Sequence, residues 1–437
     1  MADSAQLTGG VVVRLREIRR LVVFERPEWQ AERRRLRRCT QVDDLRRLAR
    51  RRIPRAVFDY VEGGADEELT IARCLAAFRA WEFVPVNPRD VSAADTGTTL
   101  LGGGIQLPLV CSSTGYNRMM HPDGELGVAR AASQAGVPFC LSTVASTSIE
   151  DVAATGHRDL WFQLYVWRDR GLVRELMTRA WEAGYRVLEV SVDVPVSGFR
   201  IRDVRNGLTI PPRLTPRTLV GIASRPAYWI GVVRHPAVVF ANSPPGLADG
   251  EGITIENMSA LFDPSLTWSD VSTVREEWPG AFLVKGALGP QGAREALAAG
   301  ADGLHLSAHG GRQLDRLVPP LELLPEVREA VGEDMALIVD SGIRHGSDIA
   351  VAVALGADAA AIGRAYLYGL MVAGEAGVAH ALALLAAEFR RTIELLGVAS
   401  VAELRMLGPQ LLRNKGTQEP SVRHTAAEAE YAAGPQP

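Results

Sequence analysis

Eight short apolar, β-branched runs, each followed by a helix-like segment, constrain this chain more than any other feature. They lie at 107–114, 138–144, 159–165, 186–193, 281–286, 303–309, 335–342 and 358–364. Segments with helical spacing separate them, such as 124–136, 171–184, 289–300 and 345–357, and a Gly or Ala-Gly marks where a helix stops. Runs that are apolar throughout predict parallel strands covered on both faces. Eight such units in roughly 260 to 290 residues match the count and size of a (β/α)8 barrel. An open doubly wound sheet alternates in the same way, but it would not usually reach eight units, and no Gly-x-Gly-x-x-Gly follows the first strand. The expected class is therefore α/β: a (β/α)8 TIM barrel spanning 101–400.

Residues 1–100 alternate charge and apolarity at helical spacing, which predicts an N-terminal arm and helical lead-in packing on the barrel; 401–437 reads as a C-terminal tail. One connection is anomalous, a proline-rich insertion after the fourth strand at about 196–266. Within it, Tyr228-Trp229-Ile230 and Val238-Val239-Phe240 either pack as a lid on the barrel mouth or make the loop sticky toward a partner or a bilayer surface.

The 437 residues are 47% hydrophobic and 23% charged, the balance of a soluble globular protein with a sizeable core. A net charge of −3 gives no whole-chain argument for nucleic acid or membrane partners. The arginine-rich stretch 14–55 reads as a solvated helical arm or subunit contact. Cys39, Cys74, Cys111 and Cys140 lie far apart, with no histidine at metal-ligand spacing, so no metal is expected and the thiols read as reduced. The first residues lack the pattern of a secretory leader, and no run reaches about eighteen apolar residues; a cytoplasmic protein without a transmembrane segment is expected.

In such a barrel the chemistry sits at the C-terminal ends of the strands. Each end here carries polar groups: Ser113 and Thr114; Ser142; Gln163 and Tyr165; Ser191 and Asp193, followed by Arg200; Lys285; Ser307, His309 and Arg312; Asp340, Gly342 and Arg344; Gly363 and Arg364. His309-Gly310-Gly311-Arg312 pairs a proton acceptor that titrates near neutral pH with a fork that fits a carboxylate. Taken alone, the same four residues also read as a strand end with a buried His and a surface Arg. Glycine plus arginine after strands seven and eight fits the barrel's usual phosphate site. A phosphate there, with a lysine after strand five, suits FMN, because a cation can face the flavin edge where negative charge gathers on reduction. A structural ion pair is the other reading of Lys285.

The chain resembles the FMN-dependent 2-hydroxy-acid oxidases and dehydrogenases, which include glycolate and lactate oxidases, lactate 2-monooxygenase and mandelate dehydrogenases. The motifs IPRAVFDYVEGGADEELT, MMHPDGELGVARAA, FQLYVWRDR, SVDVPVSGFRIRDVRNG, DPSLTW, LVKG, SAHGGRQLD and DSGIRHGSDIAVAVALGAD carry the resemblance, from about residue 53 to about residue 396. It implies that His309 is the base, with Asp193 orienting it and stabilising its charged form. Arg200, Arg312 and Tyr60 would grip the substrate carboxylate, and Tyr165 would hydrogen-bond the 2-hydroxyl. Lys285 would stabilise the reduced flavin; Ser113, Thr114, Ser142, Gln163, Ser191 and Ser307 would contact the isoalloxazine ring. Asp340, Gly342, Arg344, Gly363 and Arg364 would bind the ribityl phosphate.

Two departures matter. Ala308 stands where the family usually has asparagine, and Val144 stands where glycolate oxidases have a tryptophan over the substrate, so a roomier pocket and a bulkier acid are expected. The resemblance thus implies oxidation of an L-2-hydroxy acid to the 2-oxo acid, with oxygen or another electron acceptor, in a homo-oligomer (tetramer or octamer). A monooxygenase outcome with oxidative decarboxylation, and oxidative tailoring of a larger natural product or peptide, are the alternatives. A non-catalytic flavin sensor would be expected to lose the base.

Overall fold

A computed structural model describes residues 31–207, 225–235, 238–242 and 261–415. The chain divides into two compact units, Met1–Arg38 and Cys39–Pro437; the described part of the first contains the helix Ala31–Leu36.

Eight parallel strands close into a barrel in chain order. They are β1 (Leu109–Cys111), β2 (Phe139–Ser142), β3 (Leu160–Tyr165), β4 (Val187–Ser191), β5 (Ala281–Gly286), β6 (Gly303–Leu306), β7 (Ala336–Val339) and β8 (Ala359–Ile362). Every one lies inside an apolar run expected from the sequence. Most strands are shorter than their runs because the run continues past the last ladder bond into the loop at the barrel rim; β5 fills its run and β3 ends with its own. The (β/α)8 expectation holds, and closure comes from β8 pairing with β1, Ala360 opposite Leu109.

Alternating side chains divide each strand between the barrel interior and the helix layer. Val110, Cys140, Trp161, Val187, Leu283 and Ile338 cluster in the interior with Ala359 and Ala361. Leu100 and Ile105, from the hairpin Thr98–Leu100 and Gly103–Ile105, join the same cluster and plug the N-terminal end of the barrel. Fully burying each large side chain of this kind contributes about 1.5–3 kcal/mol. The interior is therefore solid below, and the opposite end is left for the site.

Helices start and stop where local chemistry dictates. Arg170–Glu182 begins at Asp169, whose carboxylate accepts from Gly171 N at 2.8 Å. Past its last turn comes Gly184 at φ 99°, a conformation that costs glycine nothing. The last helix of the barrel, Arg364–Leu396, is long and apolar enough to cross a membrane, but more than half of its apolar window is buried within the fold. Its backbone leaves helical geometry at Ala373 and Gly374.

The lead-in belongs to the barrel unit from Cys39 onward. Its helices are Val42–Arg52, Arg55–Glu62 and Leu69–Arg79, and the start of the third is tied to the barrel by Asp315, which accepts from the backbone N–H groups of Glu67, Leu69 and Thr70. In the described part of the arginine-rich stretch, Arg46 and Arg47 pair with Asp43, Asp44 and Glu62, which is the solvated-helix reading.

The tail expected at 401–437 is ordinary structure as far as residue 414. Helix Val401–Leu407 buries Leu404, and Leu412–Asn414 pairs antiparallel with Trp81–Phe83. Apolar side chains at Val401, Leu404 and Leu411 supply the reason, since each is buried. Within the insertion, Ile201–Asn206 and Pro226–Arg234 are helical. Tyr228 donates to Met119 O at 2.6 Å, and Phe240 stacks tilted on Tyr116 with ring centroids 4.1 Å apart. These contacts favour the lid reading, while Ile230 and Val239 stay exposed. The prolines at 211, 212, 216, 236, 244 and 245 lie outside the described residues.

Candidate active site

The rim of the barrel encloses one cavity to which the segments after all eight strands contribute, the fourth through Val194, Ser197 and Arg200, together with Tyr60 from the lead-in and Phe240 and Phe262 from the insertion. His309 sits on a single 3-10 turn, His309–Gly311, just after β6. Its φ of 52° is unusual for a residue with a side chain, and such a conformation costs on the order of 1–3 kcal/mol unless the surroundings impose it. They do: Ser307 Oγ accepts from His309 N at 3.0 Å, and Ser341 Oγ accepts from Ala308 N and Gly310 N, each at 3.2 Å. Ser307, expected against the flavin ring, thus also shapes the histidine turn. Gly310 and Gly311, at φ 62° and 72°, complete it, and a Cβ on Gly311 would fall 2.7 Å from Ile71 Cγ1.

The imidazole is oriented from behind. Asp193 offers Oδ1 at 3.2 Å and Oδ2 at 3.3 Å to Nδ1. A proton on Nδ1 satisfies both and leaves Nε2 with a lone pair facing the cavity. Nε2 lies 3.4 Å from the Tyr165 hydroxyl. Burial holds the Tyr165 phenol well above its ordinary pKa, with the Asp193 charge acting the same way, so the hydroxyl remains a neutral donor.

Cations dominate the rest of the wall. Arg312 donates through Nη1 to the carbonyls of Tyr60 and Gly63, and its guanidinium stacks 4.7 Å over the Tyr60 ring. Burial, then the nearby Arg200 charge, hold its pKa below the usual arginine value. Arg200 is half neutralised by Asp203, with Nε to Oδ2 at 2.8 Å. Arg364 donates only to carbonyls: Val61 O at 2.8 Å, Gly310 O at 2.7 Å and Gly63 O at 2.9 Å. Burial lowers its pKa to about 10. Arg344 donates to Ile343 O. Among the described residues none of Arg312, Arg344 and Arg364 has a carboxylate in salt-bridge contact. Half-buried cations left in this state call for anions from outside.

These observations fit FMN. Arg344 and Arg364 supply positive charge where a phosphate would lie, and Gly342, at φ 122°, brings the backbone so close to Cys74 O that a Cβ would meet it at 2.5 Å. Lys285, buried on β5, faces the same cavity. Removing the guanidinium in Arg364→Met should weaken FMN binding by about 10²–10³-fold, as loss of a buried charged partner does. Titration of apoprotein with FMN, with thermal unfolding as the control for lost carbonyl contacts, measures it.

Two sequence expectations shift. Gln163 and Ser191, expected on the flavin ring, do not line the cavity. Both ends of the Gln163 amide are occupied, by Ser142 Oγ at 3.1 Å and Ser191 Oγ at 3.1 Å, forming a buried chain behind Ser142. Asp340, expected at the phosphate, directs its carboxylate inward. Ser341 Oγ donates to it at 2.6 Å, and it lies 3.9 Å from Lys285 Nζ and 3.2 Å from His305 Nε2. Ser113, Thr114, Ser142, Gly363 and Val144 line the cavity, and the Thr114 hydroxyl is also held by Tyr366 at 2.6 Å and Asn117 at 2.7 Å.

Sequence reading missed Glu189 and assigned no role to His305. Glu189 Oε2 lies 2.6 Å from His305 Nδ1, and Oε1 lies 3.2 Å from Lys285 Nζ. The signal was a charged residue in the middle of VLEVS and another in GLHL, strands that are otherwise apolar and fully buried.

Fold and site define a flavin-dependent oxidoreductase barrel, and comparison with known proteins agrees. The chain belongs to the FMN-dependent dehydrogenase family, whose model matches residues 49–412. A Mycobacterium tuberculosis protein with a provisional L-lactate dehydrogenase name is 45% identical over 407 residues, covering 91% of this chain and 97% of the relative. (S)-mandelate dehydrogenase of Pseudomonas putida is 38% identical over 392 residues, 90% of this chain and 98% of the relative. A crystal structure of (S)-mandelate dehydrogenase, described as a monotopic membrane protein, superposes with a TM-score of 0.82 at 38% identity, covering 86% of this chain and 100% of that one. The chain is an FMN-dependent oxidoreductase acting on 2-hydroxy acids.

Proposed function

We propose that the substrate is an L-2-hydroxy acid bulkier than glycolate, that His309 is the base, and that electrons pass from FMN to oxygen or another acceptor. The observation that carries this reading is His309 Nε2 facing Tyr165 across 3.4 Å, in a cavity that also holds the carboxylate-free Arg312. The substrate carboxylate pairs with Arg312 and Arg200, which brings the 2-hydroxyl between Tyr165 and Nε2. His309 then accepts the hydroxyl proton while the C2 hydrogen leaves together with the two electrons that bound FMN would take up, so that C2 becomes the carbonyl carbon, and Asp193 balances the imidazolium. Bound FMN would supply the sink for the two electrons, and Lys285, which lines the cavity, would stabilise the negative charge that gathers on it.

The side-chain pocket is bounded by Val144, Tyr116, Phe240 and Phe262, an apolar set suited to an aryl or branched group. Narrowing it in Val144→Trp should lower kcat/KM for a mandelate-like acid by about 10- to 200-fold, and should change lactate turnover far less. A chain-length and aryl series read as kcat/KM checks the pocket; preference of the parent enzyme for glycolate would overturn the assignment. Peroxide released per 2-oxo acid formed separates an oxidase from a monooxygenase, which gives the decarboxylated acid instead. Four buried free cysteines support a cytoplasmic setting, and we read the working form as a homo-oligomer.

A further inference from the structure

Directly beneath the proposed flavin edge the barrel interior holds four ionisable side chains from four successive strand segments: Glu189 within β4, Lys285 on β5, His305 within β6 and Asp340 after β7. Glu189, Lys285 and His305 are at most 4% exposed and Asp340 8%. Lys285 donates to Ser112 Oγ at 2.8 Å and Glu189 Oε1 at 3.2 Å, with Ser113 Oγ at 3.4 Å and Asp340 Oδ2 at 3.9 Å. Ser113 Oγ, at 3.4 Å, and Cys140 Sγ, at 3.7 Å, are further neighbours of Glu189 Oε1.

Two carboxylates against one ammonium would leave a buried net charge of −1, the wrong sign beside a flavin that becomes more negative on reduction. His305 changes the sum. Its Nδ1 lies 2.6 Å from Glu189 Oε2 and its Nε2 3.2 Å from Asp340 Oδ2, the latter contact out of line for a regular hydrogen bond. A neutral imidazole has one N–H and would turn a lone pair toward one of the two carboxylates; the imidazolium offers a proton to each side. Burial and the Lys285 charge oppose that form, yet the two carboxylates outweigh them and raise the pKa of His305. Burial likewise opposes ionisation of Glu189, but Lys285 and His305 pull its pKa down to about 2. A buried ion cluster is a poor way to gain stability, since well-packed apolar residues do as well or better, so its place here calls for another purpose.

We propose that Glu189 and His305 are positioning residues for the proposed redox reaction. Glu189 fixes the Lys285 ammonium, and His305, as a second cation, cancels the excess carboxylate charge so that the field of Lys285 still reaches the flavin. The inference rests on Lys285 lying at the flavin's carbonyl edge. Glutamine at 305 keeps a hydrogen-bond donor for Glu189 but removes the charge.

The test uses the FMN-bound full chain and two readouts that do not require turnover: the reduction potential of the bound flavin by dye equilibration, and its affinity for sulfite, which binds electron-poor flavins tightly. His305→Gln should lower the potential and weaken sulfite binding by roughly tenfold or more, because one uncompensated buried charge acts at short range. The Glu189→Gln/His305→Gln double variant restores the charge balance and should return both readouts toward the parent. Lys285→Met is the control. If Lys285→Met leaves both readouts unchanged, the placement of Lys285 fails. If it shifts them while His305→Gln does not, the charge role of His305 is overturned, and a double variant as impaired as the single one overturns it equally. Should His305→Gln fail to fold while the double variant folds with parental sulfite affinity, charge compensation is upheld, because only the unpaired carboxylate separates the two.

Discussion

His309→Gln should bind FMN and substrate almost normally yet turn over about two to four orders of magnitude more slowly, the contribution of a well-placed general base. Glutamine approximates the size of imidazole but has no lone pair basic enough to take the 2-hydroxyl proton. The loss should fall on kcat rather than on flavin content, because the backbone of this turn is held through Ser307 Oγ and Ser341 Oγ rather than through the imidazole. Asp193→Asn should show a smaller loss of the same kind, since its carboxylate orients Nδ1 and offsets the imidazolium without touching substrate. Steady-state kinetics with flavin absorbance as the measure of loading separates the two effects. Equal turnover by His309→Gln would remove the histidine from the chemistry.

Arg312→Met carries the second large expectation. Its guanidinium is half-buried, stacked on Tyr60, and has no carboxylate of its own among the described residues, so a bound carboxylate completes it. Truncating one partner of a charge pair that the substrate buries costs about 2–5 kcal/mol, which places kcat/KM lower by roughly one and a half to three and a half orders of magnitude. Most of that should appear in KM. Arg312→Lys should recover only part of it, because a single ammonium cannot reproduce the planar fork or the ring contact. The Nη1 contacts to Tyr60 O and Gly63 O would also be lost in the methionine variant, so a fall in thermal stability is expected alongside. A methionine variant with unchanged KM would favour a larger substrate whose carboxylate is not gripped here.

What the sequence made legible follows from how each kind of signal is written. The barrel could be counted because buried parallel strands are apolar on both faces and helices between them end in glycine, as Gly136 and Gly184 do. Residues that act at the rim stood out because polar groups after apolar runs have no packing reason to recur at nearly every strand end. Direction was not legible. Whether Asp340 points at the rim or into the barrel depends on what lies across the interior, and Lys285 and His305, which attract it, come from other strands. The partners of Gln163 were hidden for the same reason, since Ser142 and Ser191 come from other strands. The Glu189–His305 pair could have been found by period two alone, because Glu189 shares a strand face with Val187 in the core and Ser191 near the rim. The fold of 401–414 escaped because its strand partner, Trp81–Phe83, lies more than three hundred residues earlier.

Anaerobic mixing of the FMN-loaded enzyme with a series of L-2-hydroxy acids, followed by the loss of flavin absorbance, tests the central claim most directly. Rapid bleaching by an aryl or branched acid, slow bleaching by glycolate, and a perturbed but unbleached spectrum in His309→Gln are the predicted results. A flavin that no 2-hydroxy acid reduces, or that His309→Gln reduces at the parental rate, would contradict the account.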